Sequence, residues 1–568
     1  MPINKDLKQI LTLLLLSALL FIVGNQVVSL TNPDEVFYAG TAKEMAEKNT
    51  WLVPYLFGQP QFEKPILGYW LIRAAFLVFG TTAFAARFFP AFFALLGVLG
   101  VYLLCARVFN DRKKAFWCAF VLMSGALYIG LARTVFIDMI FSVLIGFALG
   151  AFYLGYHERR WKPAGIVLFY VFAALAVLTK GLLGLTMPLG AVLLFLFLRK
   201  ELGFLWCRAS ALGAGLFILI AVPWYALMTA QFGRVFIDEF WVNDHIRRLA
   251  EAEHAHNDKW YFYPGTILVC AFPWTFFTAA SFGLLFRKLK DKASSPFYWF
   301  LACWIMAGFA QVQFAHSKLV SYIFPVFPAV AILTGDYLRE LFAGSIKKAR
   351  VMVFVTLAAF LALPFAITEA AFRYSQYLGQ PDWPEWYVRA NILHLPIERS
   401  VLLVILLVMA AFFVIIIVQF RLVSRRIRWF PYAAAFNMAF LFFTVLGFAP
   451  YVEDFACSRK AGEYIKAEHP TAERVLCSKM MVRGVRYYSG AEVGVLKLGG
   501  GAFFSAHPIP FIASTDKLFG YLQGRTNVLA VLERKDRVDV CDSIKGRYDC
   551  VMVKEFGSQS VIKFVPRP

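Results

Sequence analysis

The feature that most constrains this chain is a series of apolar runs, each about 20 residues long, that recur from the N-terminus to Phe448. A run of that length crosses the hydrocarbon core of a bilayer as an α-helix, because a helix satisfies its main-chain polar groups within one segment. Charged residues make up only 16% of the chain, against about a quarter in soluble domains. The sequence therefore predicts a polytopic α-helical membrane protein.

We expect about thirteen transmembrane helices. In chain order they are predicted near residues 9–30, 83–107, 114–132, 134–156, 164–180, 182–199, 208–229, 263–286, 296–314, 319–341, 349–371, 399–421 and 428–448. The first run continues to Leu30 without a small-residue cleavage pattern, so we predict a retained helix and not a signal peptide. The shorter run 66–80 carries Arg73 and is predicted to lie along the membrane interface.

The positive charges predict the orientation. Lys and Arg collect in clusters between alternate runs, such as the one at 107–114, and such clusters stay on the cytoplasmic side. The N-terminus is therefore predicted in the cytoplasm, and the more acidic loops 31–65, 230–262 and 372–398 are predicted outside. This pattern accounts for the net charge of +21, and no nucleic-acid-binding signature accompanies it.

The chain changes character after Phe448. Strand-like pieces such as Val475–Cys477, Val528–Val531 and Cys550–Val553 alternate with helical ones such as Ser458–Glu468. We therefore predict a transmembrane domain over residues 1–448 and a soluble α/β domain over 449–568. An odd number of spans places the second domain in the periplasm.

Four of the nine cysteines lie in this second domain: Cys457, Cys477, Cys541 and Cys550. In an oxidising compartment they are able to pair, and Cys541 with Cys550 is the most local choice. Free buried thiols are an equal alternative. The other five cysteines lie in apolar runs and are expected to be packing residues.

Two acidic positions face the predicted outer side. Asp34 and Glu35 follow the first span, where they also suit the first turn of a helix after Pro33. Asp138 lies four residues into the fourth run, where an unpaired carboxylate is costly, and Arg133 is one candidate partner. The functional hypothesis is that Asp34 and Asp138 converge on a cavity just outside the hydrocarbon boundary.

Several basic residues are predicted at the same outer boundary. They are Lys64, Lys180, Arg247, Arg248 and Lys318. A cation near a helix end often only reaches toward headgroups. Several cations at one interface also suit a lipid that carries one or two phosphates, bound through charge-assisted hydrogen bonds.

The chemistry that fits these residues is glycosyl transfer from a lipid phosphate. The leaving group is a stabilised anion, so a fixed cation suffices to neutralise its developing charge. A hydroxyl acceptor needs a carboxylate base, whereas an ionised phosphate acceptor needs mainly orientation. A carboxylate also stabilises an oxocarbenium-like sugar.

A set of ordered motifs over about the first 340 residues resembles the aminoarabinose transferase (ArnT) family of the glycosyltransferase C superfamily, which is related to protein O-mannosyltransferases. The motifs are Pro33-Asp34-Glu35 with Tyr38, Phe62-Glu63-Lys64-Pro65, Asp138-Met139, Thr179-Lys180-Gly181, His245-Ile246-Arg247-Arg248, Pro273-Trp274, and Ser317-Lys318-Leu319 with Tyr322 and Pro325. Each is weak alone, but their order and shared outer placement make the set specific.

The resemblance implies an inverting transfer of 4-amino-4-deoxy-L-arabinose from undecaprenyl phosphate to lipid A, at the periplasmic face of the bacterial inner membrane. It implies that Asp34 and Asp138 are catalytic and that Lys64, with Arg247 or Arg248, holds the donor phosphate. The remaining implied substrate-binding residues are Glu35, Tyr38, Glu63, Lys180, Lys318 and Tyr322. 

The resemblance also implies a possible divalent metal between Glu63 and a histidine of the large loop, with His245, His254 or His256 as candidates. One glutamate and one histidine supply only two metal ligands, so we expect no catalytic role for a metal there.

Two positions depart from the family pattern. Phe37 stands where the family often has Arg, and Gln61 where it often has Tyr, so the sugar and the acceptor are left open. A related polyprenyl-phosphate-sugar transferase that acts on protein or another glycan is the nearest alternative. A lipid or sugar transporter would predict charged residues at mid-bilayer and paired broken helices, and neither pattern stands out.

Overall fold

The structure is a computed structural model. It describes residues 3–247, 259–315, 317–343, 350–357, 456–472, 474–501, 507–525 and 527–567, with scattered positions between 410 and 453. The predicted spans 349–371, 399–421 and 428–448 therefore lie largely outside the described residues, and loop 372–398 does so entirely.

Helices dominate the part of the chain before residue 350, as the apolar runs predict. In chain order they are α1 Ile3–Phe21, α2 Asp34–Glu47, α3 Leu67–Phe79, α4 Ala83–Phe109, α5 Arg112–Met123, α6 Ala126–Ala132, α7 Ile137–His157, α8 Lys162–Lys180, α9 Leu183–Leu198, α10 Arg208–Phe232, α11 Phe262–Cys270, α12 Thr275–Lys290, α13 Pro296–Gln313 and α14 Phe327–Ala343. A π-helical segment covers Ile237–Arg247, and a 3-10 helix, Val320–Val326, leads into α14. A two-residue hairpin pairs β1 Tyr55–Leu56 with β2 Gln59–Pro60.

Within the described residues, five helices are long and apolar enough to cross a membrane, or seven if two bent pairs are each one span. The chain is thus a multi-pass membrane protein. The helix at 66–80 is confirmed as α3, where the Arg73 guanidinium stacks on the Trp51 ring with 4.0 Å between them. Its place along the interface stays a prediction.

Three expected spans differ from straight helices. The first ends at Phe21, not at residue 30, because Gly24 adopts a positive φ of 76° and the Asn25 side chain donates to the Phe21 carbonyl. The span at 114–132 bends by 63° between α5 and α6, where Gly125 leaves the helical conformation. The span at 263–286 bends by 117° between α11 and α12. Pro273 lies at that break. The helix is interrupted there because proline has no N–H group to continue the helical hydrogen bonds.

Small residues let two of the central helices approach closely. Gly165 on α8 lies against Gly155 and the Ala151 carbonyl of α7, so closely that any side chain at residue 165 would overlap α7. This contact lies at the end of the α7–α8 pair that is opposite to Asp138 and Lys180. The glycines therefore set the close approach of the two helices at that end.

The C-terminal residues form a six-stranded mixed sheet. The strands are β3 Val475–Cys477, β4 Val493–Leu496, β5 Phe511–Ile512, β6 Val528–Glu533, β7 Tyr548–Phe556 and β8 Gln559–Pro566, in the spatial order β5-β4-β3-β6-β8-β7. The helices are α15 Arg459–Glu468, α16 Val482–Ser489, α17 Thr515–Leu522 and α18 Arg534–Ile544. Strands β3 to β6 pair in parallel, whereas β8 pairs antiparallel with β6 and β7. We call residues 456–567 the C-terminal unit.

The C-terminal unit holds the disulfide that the sequence favoured. Cys541 of α18 is bonded to Cys550 of β7, with 5.8 Å between their Cα atoms. Cys457 and Cys477 are buried thiols that take no part in this bond, so each alternative holds for two of the four cysteines.

Candidate active site at the outer loop

Asp34 begins helix α2 at the end of the first outer segment. Pro33 is the N-cap, and Asp34 and Glu35 occupy the first turn, where negative charge complements the helix dipole. The prediction of a helix start is therefore confirmed. Asp34 is exposed and Glu35 is buried, so the two neighbouring acids have different surroundings.

Glu35 is held in the interior by Arg87 of α4. The Arg87 Nε and Nη2 atoms donate to the two carboxylate oxygens of Glu35 at 2.7 and 2.5 Å, and the side chain of Glu35 is 1% exposed. The main-chain N–H groups of Thr31 and Val135 also donate to this carboxylate. In this geometry the carboxylate oxygens of Glu35 are buried and paired within the protein, and a substrate-binding role for Glu35 stays a prediction.

The pKa of Glu35 reflects this pairing. Burial alone would raise the pKa, but the hydrogen bonds and charge of Arg87 outweigh burial, and the donors of Thr31 add to them. The net result is a pKa below the usual value, so the carboxylate stays ionised. Glu35 thus ties the segment that carries Asp34 to α4 and to the start of α7.

Asp138 and Lys180 form an ion pair between the first turn of α7 and the last turn of α8. Their side chains are 8% and 13% exposed, and the Lys180 ammonium lies 4.7 Å from the centre of the Tyr322 ring. The alternative partner, Arg133, instead donates to the main-chain oxygens of Leu20 and Val23. The structure therefore brings together three of the predicted site residues.

Tyr38 connects this group to the outer loop. Burial first, and then the nearby Asp138, Tyr69, Asp34 and Glu63, raise the pKa of the Tyr38 phenol well above its usual value. These carboxylates belong to three separate parts of the chain, and all three lie near enough to raise the pKa of one hydroxyl. The phenol remains protonated and able to donate a hydrogen bond at neutral pH.

Glu63 and Lys64 lie beside this cluster. The Lys64 ammonium donates to the Glu63 carbonyl at 2.9 Å, and both side chains are half-buried. The Gln61 amide donates to the Tyr69 hydroxyl at 2.6 Å, which places this departure from the family pattern next to the site. Lys318 is also buried, at 3% exposure.

A histidine that was not among those predicted lies near Glu63. His507 of the C-terminal unit places its Nδ1 atom 4.0 Å from the Glu63 carboxylate. The side chains of His245 and Arg247 are not described, and Arg248, His254 and His256 lie outside the described residues. Within the described part of the chain, no three His, Cys, Asp or Glu side chains are grouped as metal ligands. A metal at Glu63 and His245 therefore stays a prediction, and no step below uses one.

The C-terminal unit packs directly on the segment that carries Asp34. The Tyr488 hydroxyl accepts a hydrogen bond from the Leu30 N–H at 2.9 Å, and the Ala456 carbonyl accepts one from the Asn32 N–H at 2.9 Å. The Asn32 side chain donates to the Ser458 hydroxyl at 2.7 Å. These contacts fix the residues immediately before Asp34.

Arg483 of α16 reaches the position where the family pattern differs. Its guanidinium stacks on the Phe37 ring with 4.6 Å between them, and its Nη2 atom lies 2.9 Å from His507 Nε2. Phe37 is one helical turn after Asp34. Sequence reasoning missed Arg483 and His507 because they are more than 400 residues from their partners, with no short motif of their own.

The helical bundle gathers carboxylates and a lysine at one end, an arrangement that suits a membrane-embedded glycosyltransferase. Residues 7–236 match the family model of dolichyl-phosphate-mannose-protein mannosyltransferases. The structure shares its fold with ArnT from Cupriavidus metallidurans bound to undecaprenyl phosphate, with a TM-score of 0.74, 20% identity and coverage of 97% of each chain. 

Sequence relatives indicate which members of this class the chain resembles. An undecaprenyl phosphate-alpha-4-amino-4-deoxy-L-arabinose arabinosyl transferase of Yersinia pestis is 29% identical over 55% of this chain and 56% of that protein. The same-named protein of Edwardsiella ictaluri is 31% identical over 60% of this chain and 61% of that protein. The matched part thus spans little more than half the length of these relatives. The family model and these sequence relatives confirm the resemblance to the ArnT family that was drawn from the motifs.

Proposed function

We propose that this protein moves 4-amino-4-deoxy-L-arabinose from undecaprenyl phosphate to lipid A at the periplasmic face of the inner membrane, with inversion at the sugar carbon. The observation that carries the proposal is the ion pair of Asp138 and Lys180 beside the ring of Tyr322, with Tyr38 near Asp34, Glu63 and Asp138. The names of the sequence relatives support the sugar, the carrier and the direction of transfer.

The donor phosphate binds at the cations beside this cluster. Lys180 is the last residue of α8 and Lys64 lies three residues before α3, and each carries an ammonium that can donate to phosphate oxygens. As the bond between the sugar and the phosphate breaks, its electron pair goes to the phosphate oxygen. The lysines neutralise that charge, so no general acid is required.

The carboxylates act on the other side of the sugar. An ionised acceptor phosphate attacks the sugar carbon as the carrier leaves, and this acceptor has no proton to lose. Asp34, which is exposed, orients the sugar and stabilises its positive charge in the transition state. Tyr38 donates a hydrogen bond to the sugar or to one of the carboxylates, which its raised pKa permits.

The proposed topology has thirteen spans, a cytoplasmic N-terminus and a soluble periplasmic domain over residues 449–568. The Cys541–Cys550 disulfide supports the last point, because disulfides persist in oxidising compartments.

Mass spectrometry of lipid A from matched cells with and without the protein, supplied with the charged carrier, tests the function. We expect a mass gain of one aminopentose that is lost in Asp34→Asn, while membrane insertion and donor binding persist. Normal turnover in Asp34→Asn would remove Asp34 from the mechanism, and an unchanged lipid A would refute the acceptor.

A transferase that acts on protein is the second candidate. The match of residues 7–236 to the protein mannosyltransferase model favours it, as does Phe37 in place of the family's Arg. Glycan analysis of periplasmic proteins from the same cells distinguishes the two candidates.

A further inference from the structure

The C-terminal unit borders a cavity beside the cluster of carboxylates near Tyr38. This cavity has a volume of about 520 Å³ and lies between the β1–β2 hairpin, the end of α10 and the His507-Pro508 turn. Its size is within the usual range for small-molecule sites, which is about 300–1,000 Å³. We call it the hairpin pocket.

The lining of the hairpin pocket combines amides, carboxylates and aromatic rings. Gln59, Gln61 and Gln231 supply amides, and Glu63 and Glu239 supply carboxylates. Phe57, Phe62 and Phe232 supply rings. Amides and carboxylates pair with hydroxyl groups that both donate and accept, while ring faces pack against C–H surfaces. This combination is suited to a saccharide.

His507 is the residue through which the C-terminal unit takes part. Its Nε2 atom is 2.9 Å from the Arg483 guanidinium, its Nδ1 atom is 4.0 Å from Glu63, and its ring centre is 5.6 Å from that of Phe57. The side chain is only 5% exposed, so these neighbours fix its orientation. Arg483 is itself stacked on Phe37, one turn after Asp34. A continuous set of contacts therefore joins the pocket to the catalytic segment.

We propose that the hairpin pocket binds the saccharide headgroup of the acceptor, with Glu63 and His507 as its polar contacts and Arg483 as the positioning residue for His507. The inference rests on the proposed function and assigns the acceptor side of it. Glu63 belongs to both the pocket and the cluster around Tyr38, so a headgroup bound here lies next to the transferred sugar.

The first experiment measures KM separately for lipid A and for the charged carrier. We expect His507→Ala to raise the KM for lipid A about tenfold, equivalent to one lost polar contact, with kcat and the KM for the donor within about twofold. Arg483→Gln shifts the same constant in the same direction, and His507→Gln recovers part of the loss. Arg525→Gln is the matched control, because Arg525 also stacks on a ring, that of Tyr521, at 4.6 Å in the same unit.

A rise in the donor KM instead would assign the pocket to the donor sugar and overturn the proposal. Unchanged constants for both substrates in His507→Ala would overturn it as well.

The second experiment needs no turnover. Gln59 is exposed at the pocket, so Gln59→Cys can be labelled with a maleimide in the full-length protein. We expect a phosphorylated glucosamine disaccharide, the water-soluble headgroup of lipid A, to slow labelling, and undecaprenyl phosphate to leave it unchanged. Labelling that the headgroup does not slow would overturn the pocket even if transfer occurs. Protection without any transfer would retain the pocket and refute the proposed function.

Discussion

Lys180, the last residue of α8, is paired with Asp138, the second residue of α7, and the pair lies under the ring of Tyr322. Two opposite charges with less than a sixth of their side chains exposed hold each other in place. A substrate phosphate at Lys180 must therefore share the ammonium with Asp138. Asp138 would therefore compete with the donor phosphate for the Lys180 ammonium.

Asp138→Asn tests this relationship. We expect turnover to fall about 100-fold or more, because the variant loses a carboxylate at the reacting sugar, while the donor binds at least as tightly to the released Lys180. Transfer assays and direct binding of undecaprenyl phosphate measure the two effects. Asp336→Asn is the matched control. Asp336 is buried, lies away from the site and is paired with Lys114 at a distance of 2.5 Å. Equal losses of turnover in both variants would indicate a purely structural role for Asp138.

Glu35→Gln is predicted to destabilise the fold. Removing one partner of a buried ion pair leaves Arg87 uncompensated, which costs about 3–5 kcal/mol in the free energy of unfolding. The pKa of Glu35 is below its usual value of 4.5, so its contribution is present above that pH and is lost as the pH falls. The difference between Glu35→Gln and wild type should therefore shrink in acid. Glu492→Gln, which breaks the exposed pair with Arg474, should cost about 0–1 kcal/mol.

Gly484→Ala is predicted to disturb the catalytic segment from the C-terminal unit. A Cβ at Gly484 would overlap the Oδ1 atom of Asn32, two residues before Asp34. We expect transfer to fall about tenfold, because a small displacement of a catalytic group costs that much or more. Gly520→Ala is the control, since Gly520 is also helical and has open space around its Cβ. Normal transfer in Gly484→Ala would show that Asn32 shifts without moving Asp34.

Loss of the Cys541–Cys550 disulfide is predicted to lower the stability of the C-terminal unit. The bond closes a loop with a sequence separation of 9, for which chain entropy gives about 2–3 kcal/mol. Denaturant unfolding of a Cys541→Ser/Cys550→Ser double variant, compared with wild type, measures this difference. An equal midpoint for the two proteins would contradict the prediction. Reducing agent should lower the wild-type midpoint and leave that of the double variant unchanged.

The sequence was sufficient for features that depend on neighbouring residues. The apolar runs predicted the helices, Pro33 predicted the start of α2, and the spacing of Cys541 and Cys550 favoured their bond. Pro273 indicated a bend between α11 and α12, but the continuous hydropathy of the run led to the prediction of a single span.

Contacts between distant parts of the chain could not be predicted in this way. Glu35 was expected to bind substrate on its resemblance to a family motif, and the sequence held no signal for its partner Arg87, which lies 52 residues away. The pairs Arg483–Phe37 and His507–Glu63 join surfaces whose complementarity is set by the folded shape of the C-terminal unit. No periodicity or short motif in the sequence indicates which distant surfaces will be complementary.

The hydrogen bonds from Ala456 and Tyr488 to the main chain of Asn32 and Leu30 have a consequence for synthesis. Asp34 leaves the ribosome before these groups, which are translated more than 400 residues later. A nascent chain can therefore insert most of its helices before the segment that carries Asp34 is fixed. For the proposed transfer, we expect a product shortened before Ala456 to insert into the membrane without activity.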